Sequence, residues 1–231
     1  PTPYKWPNVN SHFGIMDVCG FPKNIYYYYK SWWTDEDVIH ISPHWNWNEK
    51  IGQPIEVWVN SNADDVELFL NGKSLGKKTM PRNSHLKWQV TYEPGTLEAI
   101  GYKKGKKIST KVETTSTPYK VIATTEKNIL TADGKDATVV NISIVDEKGR
   151  EVPVADNMVK FFLKGDAKII GIGNGDPSSH EPDQFLDGAW QRSAFNGKCQ
   201  VIILSGKTKG EFQLELKSNG LASDVISFTQ K

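Results

Sequence analysis

Two tryptophans in the first quarter of the chain have the residue type and spacing that best suit ligand binding. Trp45 and Trp47 are separated by one residue, so an extended strand would point both side chains to the same face. Two indole rings on one face would form an aromatic platform on which sugar rings can stack. The alternative is that both rings are buried in a core or against a neighbouring domain. We favour burial, because two tryptophans on one strand are usually buried.

A polar stretch near residue 180 has the donor types of a cation site. Asp176, His180, Glu181 and Asp183 lie close together in sequence, and carboxylate oxygens suit Ca²⁺. Their spacing matches neither an EF-hand nor a zinc site. We therefore favour a solvated loop, or a loop docked on another domain, and predict no metal and no cofactor.

No arrangement of residues indicates catalysis. Residues 171–175 are rich in glycine but lack the following helix that a phosphate-binding loop needs. Asp64, Ser84 and His85 do not form a recognisable nucleophile arrangement. The sequence therefore predicts no catalytic residue.

The composition limits the class of protein to which these residues can belong. The 231 residues include 38% hydrophobic residues, which suits about two globular domains. The formal net charge of +1 argues against a nucleic-acid partner, and no apolar run is long enough to span a bilayer. Cys19 and Cys199 lie far apart, so we expect free buried thiols in different domains. The chain begins Pro-Thr-Pro-Tyr without an initiator Met, so we expect a fragment of a longer protein.

Periodicity predicts one helix followed by two sets of strands. Apolar residues at helical spacing predict a helix over residues 22–33. Period-two alternation then predicts strands over residues 38–115, with Asn71-Gly72 as a tight hairpin turn. Residues 119–231 contain seven further strand candidates, which suits an immunoglobulin-like sandwich. The irregular stretch 173–190 is long enough to be functional or to pack on a neighbour.

Several motifs together resemble a known family. They are Gly20-Phe21-Pro22-Lys23, the Tyr-rich and Trp-rich run 26–33, Pro43-His44-Trp45-Asn46-Trp47, and the run 66–72 that ends in Asn-Gly. In combination they resemble the C-terminal region of β-galactosidase-like members of glycoside hydrolase family 2. The resemblance implies a mostly β chain: two immunoglobulin-like β-sandwich domains preceded by a short helical remnant of a (β/α)8 barrel. Residues 1–36 would be the last loop and helix of the catalytic barrel, 37–115 the first sandwich, and 116–231 a bacterial immunoglobulin-like sandwich.

The same resemblance marks three residues at the amino-terminal end. Trp6, His12 and Asp17 would lie at the edge of the sugar pocket in the full enzyme, with packing and loop capping as the alternative. Some relatives have an asparagine near a bound cation where this chain has Asp17, which argues against that role here. The family's two catalytic glutamates match nothing in this chain.

The resemblance predicts the chain's role. It implies non-catalytic domains that brace the barrel of the same polypeptide and shape access to its pocket, with no activity in isolation. The full enzyme would hydrolyse terminal β-glycosides with retention, in the periplasm of a bacterium or after secretion. A carbohydrate-binding module and a structural spacer of an adhesin-like protein are the alternatives.

Overall fold

The chain folds into two units, each with its own hydrophobic core. A computed structural model describes residues 4–9 and 12–231. The first unit comprises Gly14–Met16 and Pro22–Thr114. The second comprises Asp17–Phe21, Thr115–Lys231 and the described residues of Pro1–Phe13. The helix and strands of each unit are described in turn.

The first unit is a seven-stranded sandwich, counted over its described residues, with one α-helix, α1 (Asn24–Trp33). Its strands are β1 (Ile39–Ser42), β2 (Pro54–Ser61), β3 (Asp65–Leu70), β4 (Lys73–Thr79), β5 (Leu86–Thr91), β6 (Thr96–Lys103) and β7 (Lys106–Glu113). They form antiparallel sheets in the orders β1-β2-β5 and β4-β3-β6-β7. A short 3-10 helix (Asn48–Lys50) precedes β2.

Alternation of apolar and polar residues creates this sandwich. In β2, Ile55, Val57 and Val59 are buried while Glu56 and Trp58 face outward. Since successive strand residues point to opposite sheet faces, the buried set can pack on the other sheet. The residues of this core that are fully buried and largest are Trp45, Tyr92, Leu68 and Leu97.

The Asn71-Gly72 turn joins β3 to β4 as predicted. Leu70 pairs with Lys73, and the φ angles of Asn71 and Gly72 are 50° and 80°. Positive φ at both central residues defines the type of turn that matches strand twist, and asparagine and glycine adopt it most readily. The helix begins two residues later than predicted, at Asn24.

The second unit is a larger sandwich with nine strands in its described part. They are β8 (Lys120–Thr124), β9 (Ile129–Leu130), β10 (Ala137–Val145), β11 (Met158–Lys164), β12 (Ala167–Gly173), β13 (Trp190–Ser193), β14 (Lys198–Ser205), β15 (Gly210–Lys217) and β16 (Asp224–Gln230). The sheets have the orders β12-β14-β10-β8 and β13-β11-β15-β16-β9. The two strands beyond the predicted seven, β9 and β13, are short edge strands whose pairing partners are distant in sequence.

These sheets confirm the predicted mostly β fold with two sandwiches and one short helix. Among the described residues, no helix is long and apolar enough to cross a membrane.

Candidate functional site

The predicted tryptophan pair does not lie on one strand. Strand β1 ends at Ser42, and Pro43 has no amide hydrogen with which to extend the ladder. Trp45 is 0% exposed and donates its indole hydrogen to the Glu93 carbonyl at 3.0 Å. Its ring is therefore part of the core, which is the favoured alternative, and has no free face for a sugar.

Trp47 has different surroundings from Trp45. It is partly buried, stacks on His44 with ring centroids 4.6 Å apart, and donates to the His44 carbonyl at 2.8 Å. Lys50 lies 4.2 Å from the centre of the same indole. The expectation that Trp45 and Trp47 share one face of one strand is thus wrong, because the backbone leaves the extended conformation after β1.

The amino-terminal segment contacts the irregular loop of the second unit. We define this segment as residues 4–9, 12, 13 and 17–21, and the docking loop as residues 173–190. Val9 donates its amide hydrogen to the Pro177 carbonyl at 2.7 Å, and Nε2 of His180 lies 2.7 Å from the Pro7 carbonyl. The Ser178 hydroxyl donates to Oδ1 of Asn8 at 3.2 Å. These bonds join residues about 170 positions apart.

Asp17 closes its own turn and abuts the docking loop. Its Oδ1 accepts the amide hydrogens of Cys19 and Phe21, each at 2.9 Å. Its Oδ2 lies so close to Gly175 that a Cβ added there would be 2.0 Å from that oxygen. Gly175 is needed because a side chain would occupy the space of this carboxylate. The two hydrogen bonds are those expected of a loop cap.

Trp6 and His12 belong to an aromatic cluster on the surface of the second unit. Trp6 is 80% exposed, and its ring centre is 4.2 Å from that of His180. His12 stacks on Tyr4 at 4.1 Å, and its Nε2 lies 2.6 Å from Oδ1 of Asn8. Phe13, 6.1 Å from Tyr4, is 71% exposed. Trp6 and Phe13 therefore leave most of their ring surface open.

The aromatic cluster includes residues that sequence reasoning did not assign to it. His180 holds Trp6 to the docking loop, and Asn8 links His12 to the same loop through Ser178. The unusual length of the irregular stretch 173–190 indicated that it packs on a neighbour. That neighbour, the amino-terminal segment, lies too far away in sequence for any local pattern to reveal it.

Two of the acidic residues of the docking loop, Asp176 and Glu181, hydrogen-bond to backbone amides of the same unit. Oε2 of Glu181 accepts the amide hydrogen of Ser193 at 2.8 Å, and Oδ1 of Asp176 accepts that of Ser178 at 2.8 Å. Across residues 4–9 and 12–231, no three His, Cys, Asp or Glu side chains are grouped so as to hold a metal ion.

The two cysteines are free and lie in the same unit, contrary to expectation. Burial, followed by the nearby charge of Asp17, raises the pKa of Cys19 to about 11. Its backbone carbonyl accepts a hydrogen bond from Gln200 at 3.0 Å. Since the thiolate is the reactive form, a raised pKa indicates an unreactive thiol.

Each sandwich matches a known domain family. Residues 122–227 match the family described as Glycoside hydrolase family 2 C-terminal domain 5, and residues 52–109 match a domain of unknown function (DUF4982). The fold and these matches define a β-sandwich region of a glycoside hydrolase. The chain belongs to glycoside hydrolase family 2, as a C-terminal region of such enzymes.

Relatives support the same assignment over nearly the whole chain. A β-galactosidase of Bacteroides ovatus is 45% identical over 232 residues, covering 99% of this chain and 27% of the relative. A putative β-glucuronidase of Formosa agariphila is 40% identical over 200 residues, covering 82% of this chain and 19% of the relative. A crystal structure of a β-glycosidase from Bacteroides vulgatus superimposes with a TM-score of 0.92 at 33% identity, covering 97% of this chain and 29% of that one. The chain thus spans about a quarter or less of these curated relatives' length.

Proposed function

We propose that this chain provides the non-catalytic C-terminal domains of a retaining β-glycosidase whose substrates are terminal β-galactosides. The similarity to the β-galactosidase of Bacteroides ovatus supports the substrate class. Retaining hydrolysis needs two carboxyl groups about 5 Å apart on either side of the glycosidic bond. This chain has no residues matching the family's catalytic pair, so both would be supplied by the barrel of the same polypeptide.

The proposal rests on the docking of the amino-terminal segment on the second sandwich. By resemblance, this segment is the loop that follows the last barrel strand, and the C-terminal ends of barrel strands surround the active site. The second sandwich would therefore brace a loop of the sugar pocket. Trp6, His12 and Asp17 would lie at the pocket edge, with exposed Trp6 available to contact substrate.

Two glycine variants in the full-length enzyme test this bracing role. Gly175→Ala puts a methyl group where Asp17 lies, whereas a Cβ at Gly171, in the same stretch of chain, meets nothing within 4 Å. We expect Gly175→Ala to lower kcat/KM for an aryl β-galactoside by about tenfold, because small displacements at a pocket weaken transition-state binding. Gly171→Ala is the matched control and should retain wild-type kinetics. Equal kinetics for both variants would contradict the bracing role.

We also propose that the enzyme is periplasmic or secreted. The support is the family resemblance, since multidomain enzymes of this kind are often exported by bacteria that feed on polysaccharides. Fractionation of the source cells with an antibody to this chain tests the proposal, and recovery in the cytoplasmic fraction alone would reject it.

A further inference from the structure

A groove of about 580 Å³ lies in the first unit, beside helix α1 and the outer face of the β1-β2-β5 sheet. This volume is within the usual range for small-molecule sites. Its lining comprises Asn24, Ile25, Tyr28, Ser42, Pro43, Glu56, Trp58, Asn60, Asn83, Ser84 and His85.

One wall of the groove is a fixed aromatic pair. The rings of Trp58 and His85 stack with centroids 4.2 Å apart and planes within 8°. The indole hydrogen of Trp58 is donated to Oε1 of Glu56 at 2.6 Å, and Lys87 lies 4.2 Å from the indole centre. Trp58 nevertheless remains 37% exposed. These contacts hold the indole in place before any ligand arrives, which lowers the entropic cost of binding.

Two buried polar side chains line the groove with hydrogen-bonding capacity to spare. Asn60 is 4% exposed, and its one side-chain hydrogen bond in the described structure is a long one, 3.5 Å from Nδ2 to the Asn24 carbonyl. Ser42 is 7% exposed and also lines the groove. Both side chains therefore have hydrogen-bonding capacity that a polar ligand in the groove can use.

The charges of the lining favour a neutral ligand over an anionic one. Glu56 is the acidic residue of the lining, and Lys87, 3.7 Å from its Oε1, partly balances it. Burial, followed by the nearby charge of Lys87, lowers the pKa of His85, so this ring is neutral at pH 7. Among the lining residues there is therefore no cation to pair with an anionic sugar. A neutral ring with hydroxyl groups satisfies both the aromatic wall and the amide and hydroxyl donors.

We propose that this groove is a binding site for a neutral saccharide, separate from the aromatic cluster of the second unit. Just over half of the lining residues, including Trp58 and His85, lie in residues 52–109, the region that matches a domain of unknown function. The proposal gives that domain a role in holding carbohydrate. It does not depend on the bracing role proposed above.

Calorimetric titration of the 231-residue chain with methyl β-galactoside, lactose and cellobiose tests the proposal. Methyl β-glucuronide serves as the anionic counterpart. We expect saturable binding of at least one neutral saccharide and at least about tenfold weaker binding of the glucuronide, since an unpaired charge is costly to bury. Lack of binding by all three neutral saccharides at millimolar concentration, or preferential binding of the glucuronide, would overturn the proposal.

Variants then locate the site. Trp58→Ala should weaken binding about tenfold and Ser42→Ala about threefold, each through one lost contact. Trp33→Ala, which removes a 77% exposed tryptophan from outside the groove, is the matched control and should bind as wild type. Thermal melting confirms folding, and Glu56→Gln, which preserves shape, replaces Trp58→Ala if that variant unfolds. Unchanged affinity in the groove variants, or loss of binding in Trp6→Ala instead, would contradict the assignment.

Discussion

At the residue scale, Asp146 is the most heavily bonded carboxylate of the second sandwich. Its side chain is fully buried and accepts hydrogen bonds from Nε and Nη2 of Arg150, at 2.9 and 2.6 Å. Its oxygens also accept the backbone amide hydrogens of Ser116, Lys148 and Arg150. Burial alone would raise the pKa of Asp146, but these hydrogen bonds outweigh it and hold the pKa far below its ordinary value. The charge therefore joins the seam at residue 116 to a turn of the sandwich.

Replacing Asp146 should destabilise the second unit strongly and in a pH-dependent way. We expect Asp146→Asn to cost about 3 kcal/mol at pH 7, because the buried side chain loses charge-assisted hydrogen bonds, two of them to the partly exposed Arg150. A carboxylate with a lowered folded-state pKa stabilises fully above its unfolded value near 3.9, and this stability is lost as pH falls below that value. Urea unfolding at pH 7 and pH 3 should show a smaller difference between wild type and variant in acid. Asp187→Asn, at an exposed turn, is the control; an equal cost there would contradict the role of Asp146.

His40 should make the stability of the first unit decline with acid at a higher pH than the one at which Asp146 affects the second unit. Burial lowers the pKa of His40 to about 4, and its ring stacks on Tyr27 with centroids 3.7 Å apart. An unfolded histidine titrates near 6.5, so stability is complete above that pH and declines as pH falls from about 6.5 to 4. We expect His40→Gln to flatten the decline by about 1–2 kcal/mol. Some slope should remain, because burial also lowers the pKa of His44. Ring titration by NMR would contradict this if His40 titrated near 6.5.

At the element scale, the β3–β4 hairpin turn also fixes a neighbouring loop. Oδ1 of Asn71 accepts the amide hydrogen of Thr96 at 2.8 Å, and its Nδ2 donates to the Pro94 carbonyl at 3.2 Å. A Cβ on Gly95 would lie 1.8 Å from that Oδ1. The turn therefore connects β3–β4 to the loop between β5 and β6.

Two substitutions by glycine distinguish the contribution of the Asn71 side-chain hydrogen bonds from the need for positive φ in the turn. Asn71 and Lys104 hold the same place in two-residue hairpins, with φ angles of 50° and 48°. Asn71→Gly should destabilise the first unit by about 1–2 kcal/mol through its lost hydrogen bonds. Lys104→Gly should leave stability nearly unchanged, since glycine accepts positive φ without strain. Equal free energies of unfolding for the two variants would show that the Asn71 side chain contributes nothing.

At the scale of the whole molecule, the two cores should respond separately to mutation. Leu68 and Leu214 are each 0% exposed, one in each core. We expect Leu68→Ala to destabilise the first unit by about 2–5 kcal/mol while the second keeps its stability, and Leu214→Ala to do the reverse. Hydrogen exchange read strand by strand distinguishes the units. Loss of protection in both units from either variant would show one cooperative fold.

Sequence alone determined the local structure of this chain. Alternation predicted the strands of both sandwiches except β9 and β13, Asn71-Gly72 predicted a hairpin, and helical spacing predicted α1. Each of these depends on neighbours within a few residues. The family motifs are also runs of nearby residues, so the glycoside hydrolase assignment was readable from them. The absence of a matching catalytic pair followed from the same reading.

Tertiary structure decided which surfaces these elements present. The docking of the amino-terminal segment beside His180 joins residues about 170 positions apart, a contact that no local pattern encodes. Trp45 and Trp58 are both tryptophans of the first unit, yet one is in the core and the other lines a groove. Their difference arises because Trp45 follows the end of β1 at Ser42, where the chain turns into the core, while alternation in β2 points Trp58 outward between buried Val57 and Val59. Burial thus follows from packing rather than from residue type.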